Sequence, residues 1–181
     1  MSTRKLALMA ILVAQATVLH YIESLFPNPL PFPGVKLGLA NIITLLVLVM
    51  FDFKTSLTVI SMRTVLGSLL SGTLFGMGFL LSFSGAILAG CVMALMLYLC
   101  RHLNLIGISI AGAAAHCAGQ LIMASLILNQ PGIFYYLPVM LLFSVPTGTI
   151  TGLLTIELVK YLRSTRQFDG KNIYRRAEVI Q

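Results

Sequence analysis

Apolar residues do not alternate with polar ones along this chain; they run on in long blocks separated by short polar, proline-rich or glycine-rich stretches. Read as helices, the blocks predict six spans at about residues 5–26, 36–51, 54–73, 77–100, 105–129 and 134–162. A helix needs about 20 apolar residues to cross a hydrocarbon core roughly 30 Å thick, and six such segments account for most of the chain. The breaks have chemical causes. Pro27-Asn28-Pro29-Leu30-Pro31-Phe32-Pro33-Gly34 cannot continue a helix, because each proline removes an amide donor and crowds the preceding turn. Phe51-Asp52-Phe53-Lys54 is a tight polar turn, and Ser71-Gly72-Thr73 with Gly76 and Gly78 opens the next gap. Arg101-His102-Leu103-Asn104 and Asn129-Gln130-Pro131-Gly132 supply the last two. A transmembrane barrel would instead alternate polar and apolar positions in segments of about ten.

Composition strengthens this picture. Of 181 residues, 58% are hydrophobic and 9% charged, against about 25% charged in ordinary soluble domains. A surface so poor in charge needs lipid as its solvent. The expected architecture is all-α: an integral membrane bundle of about six transmembrane helices over 1–163, followed by a basic tail over 164–181. No cleavable signal is expected, since the first apolar stretch is too long for an h-region and ends without a small-residue cleavage site. Cys91, Cys100 and Cys117 lie within apolar runs without CxxC spacing and read as small hydrophobes.

The net charge of +7 matters through its placement. With the N-terminus in the cytoplasm, Arg4, Lys5, Lys54, Arg101, Lys160, Arg163, Arg166, Lys171, Arg175 and Arg176 all fall inside, whereas Lys36 alone falls outside. This is the positive-inside pattern of a multi-pass protein of the cell membrane with both termini cytoplasmic. It also explains the basic tail without nucleic acid. Tyr21, Phe26, Phe32, Phe134, Tyr135 and Tyr136 gather near the outer boundary, where amphipathic rings settle.

Small residues recur every four positions: Gly107, Ala111, Ala115 and Gly119; Ala86, Gly90 and Ala94; Ala10 and Ala14. That spacing lets helix backbones approach closely, ordinarily inside the bundle and otherwise as a docking surface for another membrane protein.

Ionisable groups within spans are costly, and each is a candidate site. Arg63 lies about 13 Å along its helix from Lys54, close to mid-membrane. It stays protonated and needs an anion or several carbonyls: Glu23, one turn from His20 on the first span, or the negative group of a ligand. Lys36 is either an interfacial anchor or a second ligand contact. Asn41 with Thr44, Gln15, and His116 with Gln120 at i,i+4 complete a polar interior biased towards the outer half. Each of these is either an interhelical hydrogen bond or a ligand contact. The chain has no GxxxxGK[ST] motif, no paired metal-ligand spacing, and its two aspartates, Asp52 and Asp169, lie far apart. No catalytic residue, metal or cofactor is therefore expected.

The stretch Pro33-Gly34-Val35-Lys36-Leu37-Gly38-Leu39-Ala40-Asn41-Ile42-Ile43-Thr44-Leu45 resembles the signature of the Gx transporter family, often labelled heptaprenyl diphosphate synthase component I. So does Arg63-Thr64-Val65-Leu66-Gly67-Ser68-Leu69-Leu70-Ser71-Gly72-Thr73, followed by Phe83-Ser84-Gly85. The likeness covers roughly residues 5–160. That family is similar to the S-components of energy-coupling factor (ECF) transporters, six-helix proteins that capture a substrate outside while a coupling subunit and two ATPases drive its release inside. The resemblance implies a proline loop acting as a lid and a docking motif at Ala10 and Ala14; with the polar interior read above, substrate contacts are expected from Arg63, Lys36, Asn41, Gln15, His20, Glu23, His116 and Gln120. It implies a small anionic, isoprenoid or quinone-related substrate. The alternative is a non-catalytic membrane subunit of a heptaprenyl diphosphate synthase system, since the DDxxD motifs of prenyl diphosphate synthases are missing.

Overall fold

The computed structural model describes residues 3–25, 38–100 and 103–164, apart from the side chains of Arg4 and Arg163. Within them the chain forms six α-helices: α1 (Thr3–Leu25), α2 (Asn41–Met50), α3 (Phe53–Leu70), α4 (Met77–Leu99), α5 (Leu105–Leu128) and α6 (Leu137–Ser164). A 3₁₀ turn over Pro131–Tyr136 leads into α6. No strand occurs among the described residues. The helices start and stop where local chemistry dictates. The carboxylate of Asp52 accepts the Thr55 amide at 2.7 Å to cap α3, and the Asn104 side chain accepts the Gly107 amide at 2.8 Å to cap α5. Asn129 ends α5 in the left-handed region at φ 49°, a conformation asparagine tolerates.

Four helical stretches are long and apolar enough to cross a membrane: Lys5–Leu25, Met77–Leu99, Leu105–Leu128 and Pro131–Leu162. Their outward faces carry Leu6, Ile11, Val18, Leu95, Leu126 and Leu142, all exposed, as a lipid-facing surface requires. The chain is a membrane-embedded helical bundle. The 18 residues of α3 rise about 27 Å and also approach the span length, though α3 is more polar.

The second helix differs from expectation. It begins at Asn41 rather than near residue 36, and its 10 residues rise only about 15 Å. The cause is Gly38, whose φ of +85° breaks the helix; the left-handed conformation is one that glycine adopts without steric cost. Nine of the ten residues of α2 are buried, and α2 packs against each of the other five α-helices. A helix apolar on every face belongs in the centre of a bundle, and α2 occupies that place. Its first turn therefore lies at mid-membrane depth, while its last residues reach the same end as the start of α1. There Lys5 Nζ stands 3.8 Å from Asp52 and 5.6 Å from the centre of the Phe51 ring.

The apolar core surrounds this central helix. Leu12, Val13 and Ala16 of α1 meet Ile43, Leu46 and Val47 of α2 with Val59 and Val159. Leu45 and Leu48 meet Ala89, Met93 and Ile108 on the other side. Between α4 and α5 the backbones touch: a β-carbon on Gly119 would sit 2.9 Å from Gly85 Cα. Between α5 and α6, β-carbons on Gly148 and Gly152 would come 2.6 Å from Ile110 Cα and 2.7 Å from Ile106 Cα.

Candidate functional site

Several of the buried polar residues converge where α2 begins. Arg63, ten residues into α3, reaches the depth of Asn41 and donates from Nη2 to Asn41 Oδ1 at 3.1 Å. Only 2% of Arg63 is exposed, and its Nε has no hydrogen-bond partner among the described residues. Asn41 is equally buried; with Oδ1 turned to the guanidinium, its Nδ2 has no partner among the described residues and faces Gly38. A buried donor without a partner costs about 1–3 kcal/mol. Two of them side by side, next to a permanent cation, form a concentrated demand for an acceptor.

Glu23 supplies the negative charge. Its Oε1 accepts the Gly38 amide in a short hydrogen bond and the Leu39 amide at 3.3 Å, and its charge acts on Arg63. The glycine conformation that delays the start of α2 thus also turns two amides towards α1. His20, one turn before Glu23, lies against Gly67 of α3; a β-carbon there would fall 2.3 Å from its ring. At the same end of the bundle, Ser24 and Ser71 hydroxyls meet at 3.1 Å.

From the opposite side α5 brings His116 and Gln120, 3% and 0% exposed. Both pack on Gly85 of α4, and the His116 ring also borders Gly38. The hydroxyls of Thr44 and Ser82 are buried in the core without partners among the described residues. Five helices thus contribute to one buried polar centre.

Six of the residues expected at a binding site converge here: His20, Glu23, Asn41, Arg63, His116 and Gln120. Gln15 does not join them. It lies on the exposed face of α1, because Ala16, Thr17 and His20 turn inward and leave position 15 pointing away. Ala10 and Ala14 share that exposed side. Lys36 and the proline loop lie outside the described residues. Gly38, Gly67 and Ser82 also border this centre; the sequence signal for Gly67 is its place one turn after Arg63 in the same motif, and no signal in the sequence marks Ser82. Among the described residues no three His, Cys, Asp or Glu side chains gather as metal ligands do. The cysteines are free: Cys117 is buried, and Cys91 lies exposed on α4.

The arrangement suits binding through charge and hydrogen bonds. A model of one protein family, described as heptaprenyl diphosphate synthase component I, matches residues 12–158. No curated protein and no solved structure matches the chain.

Proposed function

The chain belongs to the heptaprenyl diphosphate synthase component I family, and on that premise we propose that it is the substrate-capturing membrane subunit of an ECF-type uptake system. Its ligand is a small anionic, amphipathic compound related to isoprenoids or quinones, held in the outer half of the bundle. One observation supports the reading: a buried arginine whose Nε is unpartnered among the described residues, beside an asparagine amide that is also unpartnered among them. An intramembrane cation of this kind is costly and marks a ligand pathway more often than a structural tie. Asn41, His20, His116 and Gln120 orient the ligand's polar groups.

Capture on this reading involves no bond-making by the chain, which acts as a non-enzyme beside a coupling membrane subunit and ATPases. The exposed Ala10 and Ala14 face of α1 supports such docking, since small residues free of the bundle's own packing allow another helix to approach. The charge distribution supports a cell-membrane location with both termini in the cytoplasm.

The test is ligand retention. Native mass spectrometry of the protein purified in mild detergent should reveal one bound anion, lost in Arg63→Ala and weakened in Asn41→Ala and Lys36→Ala. Retention at wild-type level in all three would refute the electrostatic basis of the proposal.

The family description favours a second reading, a non-catalytic component of a heptaprenyl diphosphate synthase. Affinity purification from cells separates the two. Recovery of ATPases with a coupling subunit supports uptake, and recovery of a soluble prenyl synthase supports the component role.

A further inference from the structure

Helix α6 is held in two different ways along its length. From Gly148 onward it lies directly on α5, where β-carbons on Gly148 and Gly152 would come 2.6 Å from Ile110 Cα and 2.7 Å from Ile106 Cα. It also rests there on the central helix. The Thr155 hydroxyl stands 3.5 Å from the Ile42 carbonyl oxygen, and Val159 packs in the cluster that joins α1 to α2. In residues 137–145, by contrast, only Met140 and Ser144 are buried. Met140 joins Ile133 of the 3₁₀ turn against Leu81 of α4 and Cys117, Leu121 and Ala124 of α5. The Cys117 thiol donates to the Met140 carbonyl oxygen at 3.8 Å. The Ser144 hydroxyl turns back to the Leu141 carbonyl of its own helix. Among the described residues one apolar cluster thus fastens this stretch to the bundle.

Pro146 divides the two parts. It has no amide to donate to the Leu142 carbonyl, so the helix lacks a rung there. Around it Thr147 donates to the Phe143 and Ser144 carbonyls, and Thr149 to that of Val145. Hydroxyls bonded to their own helix keep such carbonyls satisfied in lipid while a helix bends. The other end of the stretch is also free to turn. Helix α5 stops at Asn129 in the left-handed region, and a β-carbon on Gly132 would meet nothing within 4 Å.

We infer that residues 131–145 form an arm, hinged at Pro146 and at the turn after Asn129, which lifts off α5 as a unit while the rest of α6 stays in place. Local openings of this kind occur where few buried apolar groups resist them. What the arm covers gives the motion a use. Cys117 and Leu121, under the latch, follow His116 and Gln120 in sequence, so the flank uncovered on α5 adjoins the face that carries the polar centre. On the capture reading this flank is a side entrance from the lipid; that use rests on the capture reading, and the motion does not.

Cys117 is the reporter, since it is buried beneath Met140 while Cys91 is exposed. The full chain in phosphatidylcholine nanodiscs, without ligand, is treated with N-ethylmaleimide, and peptide mass spectrometry follows each cysteine. Cys117 should react more slowly than Cys91. It should still react at least about tenfold faster than a cysteine introduced at Ala89, a fully buried core position that only unfolding of the bundle exposes. Pro146→Ala restores the missing amide and should slow Cys117 about tenfold with Cys91 unchanged. Met140→Ala weakens the latch and should speed Cys117 about tenfold or more. Equal rates at Cys117 and Ala89→Cys, or a Cys117 rate that the hinge or the latch variant leaves unchanged, would overturn the inference. Spin labels keep it testable if Ala89→Cys does not fold. With the native cysteines replaced by serine, labels at the exposed positions Tyr135→Cys and Leu66→Cys should show two distance populations, and Leu154→Cys with Leu66→Cys one. A single population for both pairs overturns the arm. No ligand enters either measurement, so failure here leaves capture standing, and failure to retain a ligand leaves the arm standing.

Discussion

Between α4, α5 and α6 the contacts are made by small residues with no side chain to move. Gly119 meets Gly85, and Gly148 and Gly152 meet the backbone of Ile110 and Ile106. Between α1, α2 and α3 polar groups add to the apolar core: Glu23 on the turn before α2, Arg63 on Asn41, Ser24 on Ser71. The first region is fixed by shape, and shape tolerates little adjustment. The second also carries hydrogen bonds that can exchange partners. A membrane protein that must hold its form while admitting a ligand benefits from keeping those tasks in different helices, and here α5 links them, its Gly119 face in one and its His116 and Gln120 in the other.

The comparison breaks most sharply at Arg63. Arg63→Ala takes a fully buried side chain out of the centre, leaves Asn41 Oδ1 without its donor and removes the positive charge that acts on Glu23, at a cost of about 3–5 kcal/mol. Adding Glu23→Gln should recover roughly 1–3 kcal/mol of that loss. Unfolding in mixed micelles measures both, and a double variant no more stable than the single one would deny the coupling. On the shape side, Gly119→Leu presses a side chain against Gly85 Cα and the Ser84 carbonyl, costing about 3 kcal/mol. Gly90→Ala sharpens the point, since its new carbon is crowded by the flexible Ile60 Cδ1 end and touches Thr44 Cγ2 at an ordinary 3.8 Å. Its stability should stay within about 1 kcal/mol of wild type; equal losses at both glycines would remove the distinction.

A smaller effect lies at the opposite end of the polar region, at the α3 cap. Asp52→Ala should cost about 1 kcal/mol or less, because the carboxylate is largely exposed. Hydrogen bonds from Thr55 hold the Asp52 carboxyl below its ordinary range. The cap's contribution is therefore full above the unfolded value near pH 4 and fades as pH falls through the lower folded value. Comparing wild-type and Asp52→Ala melting temperatures from pH 6 down to 2.5 checks this, and a gap that widens towards acid would contradict it. Least of all, Glu157→Ala on the exposed Lys160 pair should change stability by under about 0.5 kcal/mol.

Much of the fold was legible because lipid imposes long apolar blocks and water imposes polar breaks. The beginning of α2 was not. Val35 to Ala40 is apolar enough to continue a helix, and only the backbone angle at Gly38 stops it. Arg63 stood out as a site by cost alone, whereas its partners depended on how far α1 is offset from α3, which no single sequence encodes. Gln15 illustrates the converse. On a helix apolar nearly all round, periodicity does not say which face is inside, so a mid-span glutamine and the buried His20 look alike until the packing is known.

The two-residue turn at Phe51 and Asp52 carries a consequence for biogenesis. Alone, α2 is too short to hold a place across the bilayer, and α3 carries an arginine that penalises insertion by at least about 2.5–3.5 kcal/mol. Joined so tightly, they enter from the translocon as one hairpin, with the apolar half offsetting the charged half. Lengthening that turn should therefore lower the yield of correctly inserted protein at the ribosome, before any ligand is met.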